Sequence, residues 1–505
     1  MKSSVMISQE YVKQIGLTEV FEACHCRTPQ GNRLKNSRKF YTPEMRDDLQ
    51  EELDSIERLK TLVAKNHPEV IEAQTQLSRL RELRGTFLRL EKASLLDDTE
   101  FFELKGALRI FFRISRLKKL LVAAGLNFQV TKDASALLDP GGTGNPAFHI
   151  YSDYSHKLSQ LREQKKFLEK EISKQNGAQR QTLLTQRGLL IAEEDNLEDE
   201  IRRDLGNQLV QWLPQMRHNA EICGILDFRL AKADLAVRWQ GCQPRLIGSE
   251  QPAVIRDAIH PIIDSLLTKQ GRVFTPVSIE LKQGATVISG ANMGGKSVAL
   301  KTIFLSLLLV QLGYFPRCLT LESPLYDFMA FESSQDGDVH RGLSSFGLEA
   351  VQIRNHYERS QHENGLILMD EPCRSTNPAE ATAIVQALCT IYGKSRSTLL
   401  IATHYQVTPA AGIWFYQVRG IRPEALAELP MHHPKTGSAK REDDFCKSRK
   451  REDIIRVRKI QDLMDYRLEV VDGNQQTPSG AIKIAELLGV DQDLLHEMKV
   501  AWQEE

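Results

Sequence analysis

The chain has 505 residues, enough for about three domains, and its 41% hydrophobic and 26% charged content is that of an ordinary globular protein. Lys plus Arg and Asp plus Glu both number 66, so the formal net charge is zero. A global basic field is therefore excluded, and any nucleic-acid contact has to come from a local patch. The eight cysteines are scattered, as reduced thiols are, and Cys24-His25-Cys26 has no second pair at metal-site spacing. No apolar run reaches membrane-span length, and the N-terminus MKSSVMISQEYVK lacks the apolar core of a signal peptide, so a cytoplasmic protein with no membrane association is expected.

Residues 1 to about 125 read as helical. Leu49, Leu53, Ile56, Leu59 and Leu62 recur at three- and four-residue steps, as do Leu77, Leu80, Leu83, Phe87 and Leu90. Phe101–Leu126 mixes apolar and basic positions, which fits a packed helix with a solvated basic face better than a membrane-surface or nucleic-acid helix. Residues 137–153 form a loop broken by Pro140, Gly141, Gly142, Gly144 and Pro146. Over 155–205, Leu158, Leu161, Leu168 and Ile172 share one face, Leu183, Leu190 and Leu197 repeat at heptad spacing, and Gln175-Asn176-Gly177 signals a turn. The pattern predicts an antiparallel helical hairpin with arms of about 20 residues.

From about residue 251 the pattern becomes α/β, with strands predicted at Val277–Leu281, Ala285–Ser289, Leu366–Met369 and Thr398–Ala402. Ala285–Ser289 runs into Gly290-Ala-Asn292-Met293-Gly294-Gly295-Lys296-Ser297 and then into an apolar helix, which is the spacing of a phosphate-binding loop. Gly290, Gly294 and Gly295 let the backbone N–H groups turn towards phosphate oxygens. The helix N-terminus adds positive potential, Lys296 a point charge for the β- and γ-phosphates, and Ser297 a hydroxyl for Mg²⁺. ATP and Mg²⁺ are the expected ligands. Leu366–Met369 is followed by Asp370, suited to hold the metal, and Glu371, suited to polarise the attacking water. Thr398–Ala402 leads to Thr403-His404-Tyr405, where His404 is a candidate to sense the γ-phosphate or position the water. Residues 423–462 are polar and rich in both Lys/Arg and Asp/Glu, and read as an insertion whose blander role, a solvated loop, outweighs a nucleic-acid contact.

SGANMGGKS, LILMDEP and LLIATHY, in this order, resemble the ATPase domain of the MutS family, within the ABC-type ATPases. Asp338–Phe346 resembles that family's signature segment, and the resemblance implies that Ser344 and Ser345 reach a partner's γ-phosphate across a dimer. Asn292 and Met293 fall within the family's phosphate loop, while Val298 stands where Thr is usual. Ile259-His260-Pro261 resembles the entry into the domain and Ser479–Gly489 its closing segment, while Arg272 and Phe274 both stand near the family's adenine-stacking position. Thr28-Pro29-Gln30-Gly31 resembles the start of the MutS core, or lever, domain.

The implied fold class is multidomain: an all-α lever/core domain over 1–250 with a long helical hairpin, followed by an α/β P-loop (ABC-type) ATPase domain over 251–505. The family's mismatch-reading and connector domains are expected to be missing, as is the carboxy-terminal nuclease of its short branch, which Arg374–Glu380 resembles. The implied function is an ATP-hydrolysing, DNA-binding ATPase of mismatch repair or recombination, dimeric with itself or a MutS-like paralogue. The alternative is a MutS-like ATPase that remodels a protein client without DNA, such as a B12-dependent lysine aminomutase. An ABC transporter ATPase ranks last, because an LSGGQ-type signature is lacking.

Overall fold

The computed structural model describes residues 5–6, 9–129, 131–290, 295–333, 345–421, 464–473, 482, 485–486 and 490–503. Two compact units divide the chain, and neither is one continuous stretch. One comprises Met1–Ala23, Phe40–Leu53 and Arg238–Glu505, the other Cys24–Lys39 and Asp54–Val237.

The second unit is helical, and its first helix shows why Thr28-Pro29-Gln30-Gly31 has that composition. Thr28 caps the helix Pro29–Ser37, its hydroxyl accepting the Gly31 N–H at 2.9 Å, and Pro29 occupies the first turn, where no N–H is needed. The Arg27 and Thr28 N–H groups and the Thr28 hydroxyl all donate to the buried carboxylate of Asp227, at 2.7–3.1 Å. A Cβ on Gly31 would stand 2.5 Å from Asp227 Oδ2, so only glycine fits. Asp227 sits 200 residues away, on the helix Leu213–Trp239.

The hairpin consists of the helices His156–Ile172 and Gly177–Leu209. The second arm has 33 residues rather than about 20, the helix running unbroken through Gly188 and Gly206. Leu158 and Leu161 are buried, and the arms are joined by ion pairs: Arg162 to Glu194 and Glu198 at 2.9 and 2.8 Å, Lys165 to Glu194, and Arg187 to Glu169 at 2.9 Å. Arg202 extends the network with bonds to Glu198 and Asp98, each at 2.9 Å.

The first unit holds the sheets. Its strands are β1 (Val5–Met6), β2 (Arg245–Leu246), β3 (Ala253–Ala258), β4 (Val277–Leu281), β5 (Gly284–Ser289), β6 (Thr320–Ser323), β7 (Phe328–Ser333), β8 (Gly365–Asp370), β9 (Thr398–Ala402), β10 (Ile413–Ile421) and β11 (Met464–Val471). Seven form one sheet in the order β1-β7-β8-β9-β5-β10-β11, parallel except for β10 against β11. The other four form the sheet β2-β6-β3-β4. β8 and β9 are buried along their whole length, as central parallel strands covered on both faces must be. The helix Lys296–Gln311 is likewise buried almost all round.

His260 takes a structural position here. It is 2% exposed and caps the helix Pro261–Lys269 through Nδ1, which accepts the Ile263 N–H, while Nε2 faces the Ile15 carbonyl at 3.2 Å. Burial, helped by Lys301, pushes its pKa down to about 4 from the ordinary 6.5, so the ring is neutral in the fold.

Two outcomes follow from these contacts. Asp227→Ala strands three donors, and chemical denaturation is expected to report a loss of about 3–5 kcal/mol. For His260 the unfolded chain takes up a proton below pH 6.5 and the folded chain only near pH 4, so stability is full above 6.5 and falls as the pH drops through that window, by about 3 kcal/mol in all. Urea midpoints measured from pH 7 to 4 should therefore slope less in His260→Asn, which keeps a cap but loses the titration.

Candidate nucleotide site

Three adjacent strands set the site. In register, Ile288 of β5 lies opposite Ala402 of β9, which lies opposite Asp370 of β8. Their C-terminal ends therefore finish level, and the residues that follow each strand meet there. Open parallel sheets place ligands at this edge. The crossing backbone is fixed by two bonds: the Thr403 N–H donates to the Ile288 carbonyl at 3.1 Å and the Glu371 N–H to the Ala402 carbonyl at 2.8 Å.

Lys296 opens the helix after β5 and is 3% exposed. Its ammonium donates to the Gly290 carbonyl at 2.6 Å and lies 4.0 Å from Glu371 Oε1. Burial pulls its pKa down, while Glu371 and Asp370 act in the opposite direction. The Ser297 hydroxyl donates to Asp370 Oδ1 at 3.1 Å, and burial pushes that carboxyl up. Hydroxyl and carboxylate thus stand together, the oxygen-donor pair that Mg²⁺ takes. Among the described residues no group of three or more His, Cys, Asp and Glu side chains could hold a metal.

Glu371 has a left-handed backbone, φ +51°, and Cys373 two residues on has φ +61°. Neither is glycine, and each such residue costs on the order of 1–3 kcal/mol. The turn is held by its partners: Glu371 N–H to Ala402, Arg374 Nη1 to Glu371 Oε2 at 3.4 Å, and Cys373 N–H to Glu349 Oε1 at 2.7 Å. His404 is exposed just beyond β9, its ring 4.2 Å from that of Tyr405.

Gly290 (φ +135°) and Gly295 (φ +82°) both need glycine's conformational freedom. A Cβ on Gly295 would come within 2.7 Å of the Tyr466 ring on β11. Asn292, Met293, Gly294 and Ser344 lie outside the described residues, as does the insertion at 423–462. Ser345 opens the helix Ser345–Ser360. Phe274 is buried, whereas Val273 beside it is 90% exposed.

Three features were not read from the sequence. Tyr466 lies 170 residues beyond the loop it touches, past a polar stretch that offers no strand signal. Glu349 is a single acid on a helix, yet it holds the Cys373 turn, and burial pushes its carboxyl up. His356, 1% exposed, bonds Glu332 of β7 through Nε2 at 2.9 Å. A single histidine or glutamate at helical spacing carries no signal that would separate it from a surface residue.

Residues 286–421 match the family model for MutS domain V. Over these residues, about a quarter of the chain, the protein is similar to the MutS family. It is 30% identical over 208 residues to the endonuclease MutS2 of Lacticaseibacillus casei, covering 41% of this chain and 26% of that protein. It is 29% identical over 216 residues to the DNA mismatch repair protein MutS of Thermus aquaticus, 43% of this chain and 26% of that one. The Streptococcus mutans mismatch repair protein MutS is 25% identical over 264 residues, 52% and 30% of the two chains. The chain thus spans about a quarter of the length of the first of these relatives. Among the described residues no helix is long and apolar enough to cross a membrane.

The buried ammonium generates a testable outcome. Lys296→Met removes the charge meant for phosphate but keeps the bulk in the fold. Binding of a fluorescent ATP analogue should be lost, while the melting temperature moves by only a few degrees. Gly295→Ala should instead lower the melting temperature, and Tyr466→Ala in the same chain should restore part of that loss.

Proposed function

We propose that this chain is a MutS-family ATPase that hydrolyses ATP and couples the cycle to handling DNA in mismatch repair or recombination. The observation that carries the reading is the buried Lys296 ammonium beside the Ser297–Asp370 bond, with Glu371 at 4.0 Å, on three level strand ends. Lys296 binds the β- and γ-phosphates as a desolvated point charge, where its attraction is stronger than in water. Ser297 and Asp370 hold Mg²⁺, which when bound neutralises charge on the phosphates. Glu371, kept in position by its strained turn, orients a water in line with the γ-phosphate and accepts its proton, and His404 assists from the neighbouring strand end. Asn292, Met293, Gly294 and the glycines beside them line the phosphates.

The proposal extends to the assembly. Ser344 and Ser345 complete the site of a second copy, or of a MutS-like paralogue, so that a dimer carries composite sites. The helical unit Cys24–Lys39 and Asp54–Val237, which carries most of the expected lever domain over 1–250 and the hairpin near 155–205, grips DNA, and the unit that holds the nucleotide site drives it. The protein works in the cytoplasm. The three relatives described above carry names of DNA processing, which supports a DNA client rather than a protein one.

Steady-state ATP turnover, titrated with duplex, mismatched and branched DNA at low and moderate salt, tests the reading, with Glu371→Gln as the zero. Turnover should respond to DNA, and the response should fade steeply with salt as phosphate contacts exchange for counterions. Hydrolysis indifferent to every DNA would sink the DNA half of the proposal, and turnover unchanged in Glu371→Gln would sink the catalytic half.

A further inference from the structure

Two segments distant in the chain are held side by side at one end of the four-stranded sheet. There β6 lies between β2 and β3, with Arg245 of β2 opposite Glu322 and Arg256 of β3 opposite Thr320. The pairing continues beyond the strands. The Cys242 N–H donates to the Pro316 carbonyl at 3.0 Å, the Ile259 N–H to the Arg317 carbonyl at 2.9 Å and the Leu319 N–H to the Arg256 carbonyl at 3.0 Å. A Cβ on Gly241 would stand 2.8 Å from the Phe315 carbonyl oxygen, so the two backbones approach as closely as glycine allows. The positions of Cys242 and Cys318 are therefore fixed by main-chain bonds on both sides.

This brings two thiols into contact. Cys242 Sγ and Cys318 Sγ are 3.0 Å apart, across 76 residues of chain. A disulfide needs about 2.05 Å, so the sulfurs lie roughly 1 Å from bonding distance, a gap that small side-chain rotations close. The two thiols are not equivalent. Cys242 is half-buried, whereas Cys318 is 8% exposed. The hydrogen bond with Cys242, and then burial, push the Cys318 thiol up, so it keeps its proton at neutral pH. Cys242 is thus the sulfur that a small oxidant meets first, and Cys318 the one behind it.

The other cysteines are placed differently. Cys223, Cys373 and Cys389 are fully buried, closed to a solute. Cys24 and Cys26 are a second hydrogen-bonded pair, but only two residues apart, with Cys24 fully buried. The segment between Cys242 and Cys318 instead contains β3, β4, β5 and the helix Lys296–Gln311. A bond between these two sulfurs would close a covalent loop around the part of the chain that carries the phosphate loop, and long loops constrain the unfolded chain most.

We propose that Cys242 and Cys318 form an oxidation site, at which a hydroperoxide converts the two thiols into a reversible disulfide. With hydrogen peroxide, one oxygen passes to the Cys242 sulfur as the O–O bond breaks, leaving a sulfenic acid and one water. The Cys318 sulfur then attacks the Cys242 sulfur. The S–S bond forms, the S–O bond breaks, and the hydroxyl leaves as a second water with the Cys318 proton. Overall two thiols give up two hydrogens and two electrons, which reduce one peroxide to two waters. A dithiol restores both thiols by exchange.

The experiment treats the full chain with hydrogen peroxide, blocks the remaining thiols by alkylation and digests with trypsin without reduction. Trypsin isolates Cys242 in Trp239–Arg245 and Cys318 in Cys318–Arg341, each the single cysteine of its peptide. The two peptides should appear joined and separate on dithiothreitol, and the joined fraction should fall at least tenfold when the chain is oxidised in urea, where proximity is lost. The oxidised chain should melt several degrees higher than the reduced one. In Cys318→Ser the sulfenic acid has no resolving thiol, so dimedone should label Cys242. Cys242→Ser, changed at the half-buried position, should lose the joined peptides and leave Cys318 unlabelled, and it carries the test by itself if Cys318→Ser does not fold. Cys242 and Cys318 both recovered alkylated after Cys24 and Cys26 have been oxidised, a joined fraction as large in urea, dimedone on Cys318 instead of Cys242, or a lowered melting temperature would each overturn the proposal.

Discussion

The arrangement of the nucleotide site depends on keeping one ammonium inside the protein. Lys296 is 3% exposed, and a cation there must be met by oxygen atoms on every accessible side or lose its proton. The Gly290 carbonyl is available only because glycine takes φ +135° at the end of β5, where a Cβ would meet Val418 of β10 at 3.2 Å. The second negative group, Glu371, comes from β8, two strands away in the sheet. Strand order is therefore not incidental to the chemistry. With β9 between them, β5 and β8 bring lysine and carboxylate to 4.0 Å, close enough to offset part of the cost of burial.

Much of this was legible because central parallel strands and phosphate loops both have strong local signatures. β5, β8 and β9 are short apolar runs ended by polar residues, and the loop's glycines stand at fixed offsets from Lys296. What was not legible is long-range. β1 is two residues paired with β7 across more than 300 residues of chain, and β10 finds β11 across a polar stretch of more than 40. Asp227 is one acid in a helix, and only the fold reveals that it receives Arg27 and Thr28. Thr28-Pro29-Gln30-Gly31 could be matched to a family by its letters, but the reason for Gly31 lies in the carboxylate 2.5 Å from where its Cβ would be. The second hairpin arm is longer than about 20 residues, and a glycine inside a long helix costs only about 1 kcal/mol, so the helix runs through Gly188 and Gly206.

The strained turn at Glu371 and Cys373 shows how such residues are retained. Left-handed backbone at two non-glycine positions is unfavourable by a few kcal/mol, so the surroundings have to impose it. One imposing bond comes from β9, through the Ala402 carbonyl, and another from Glu349 near the start of the helix Ser345–Ser360. That same helix is fixed to β7 by the buried His356 and the half-buried Glu332, whose remaining atoms, His356 Nδ1 and Glu332 Oε2, have no further partner. The two bonds act on opposite ends of one rigid element. A rigid-body shift of this helix would act on both contacts at once. The turn at Glu371 is thereby bonded to the helix that Ser345 opens, the side on which a partner's contribution is proposed.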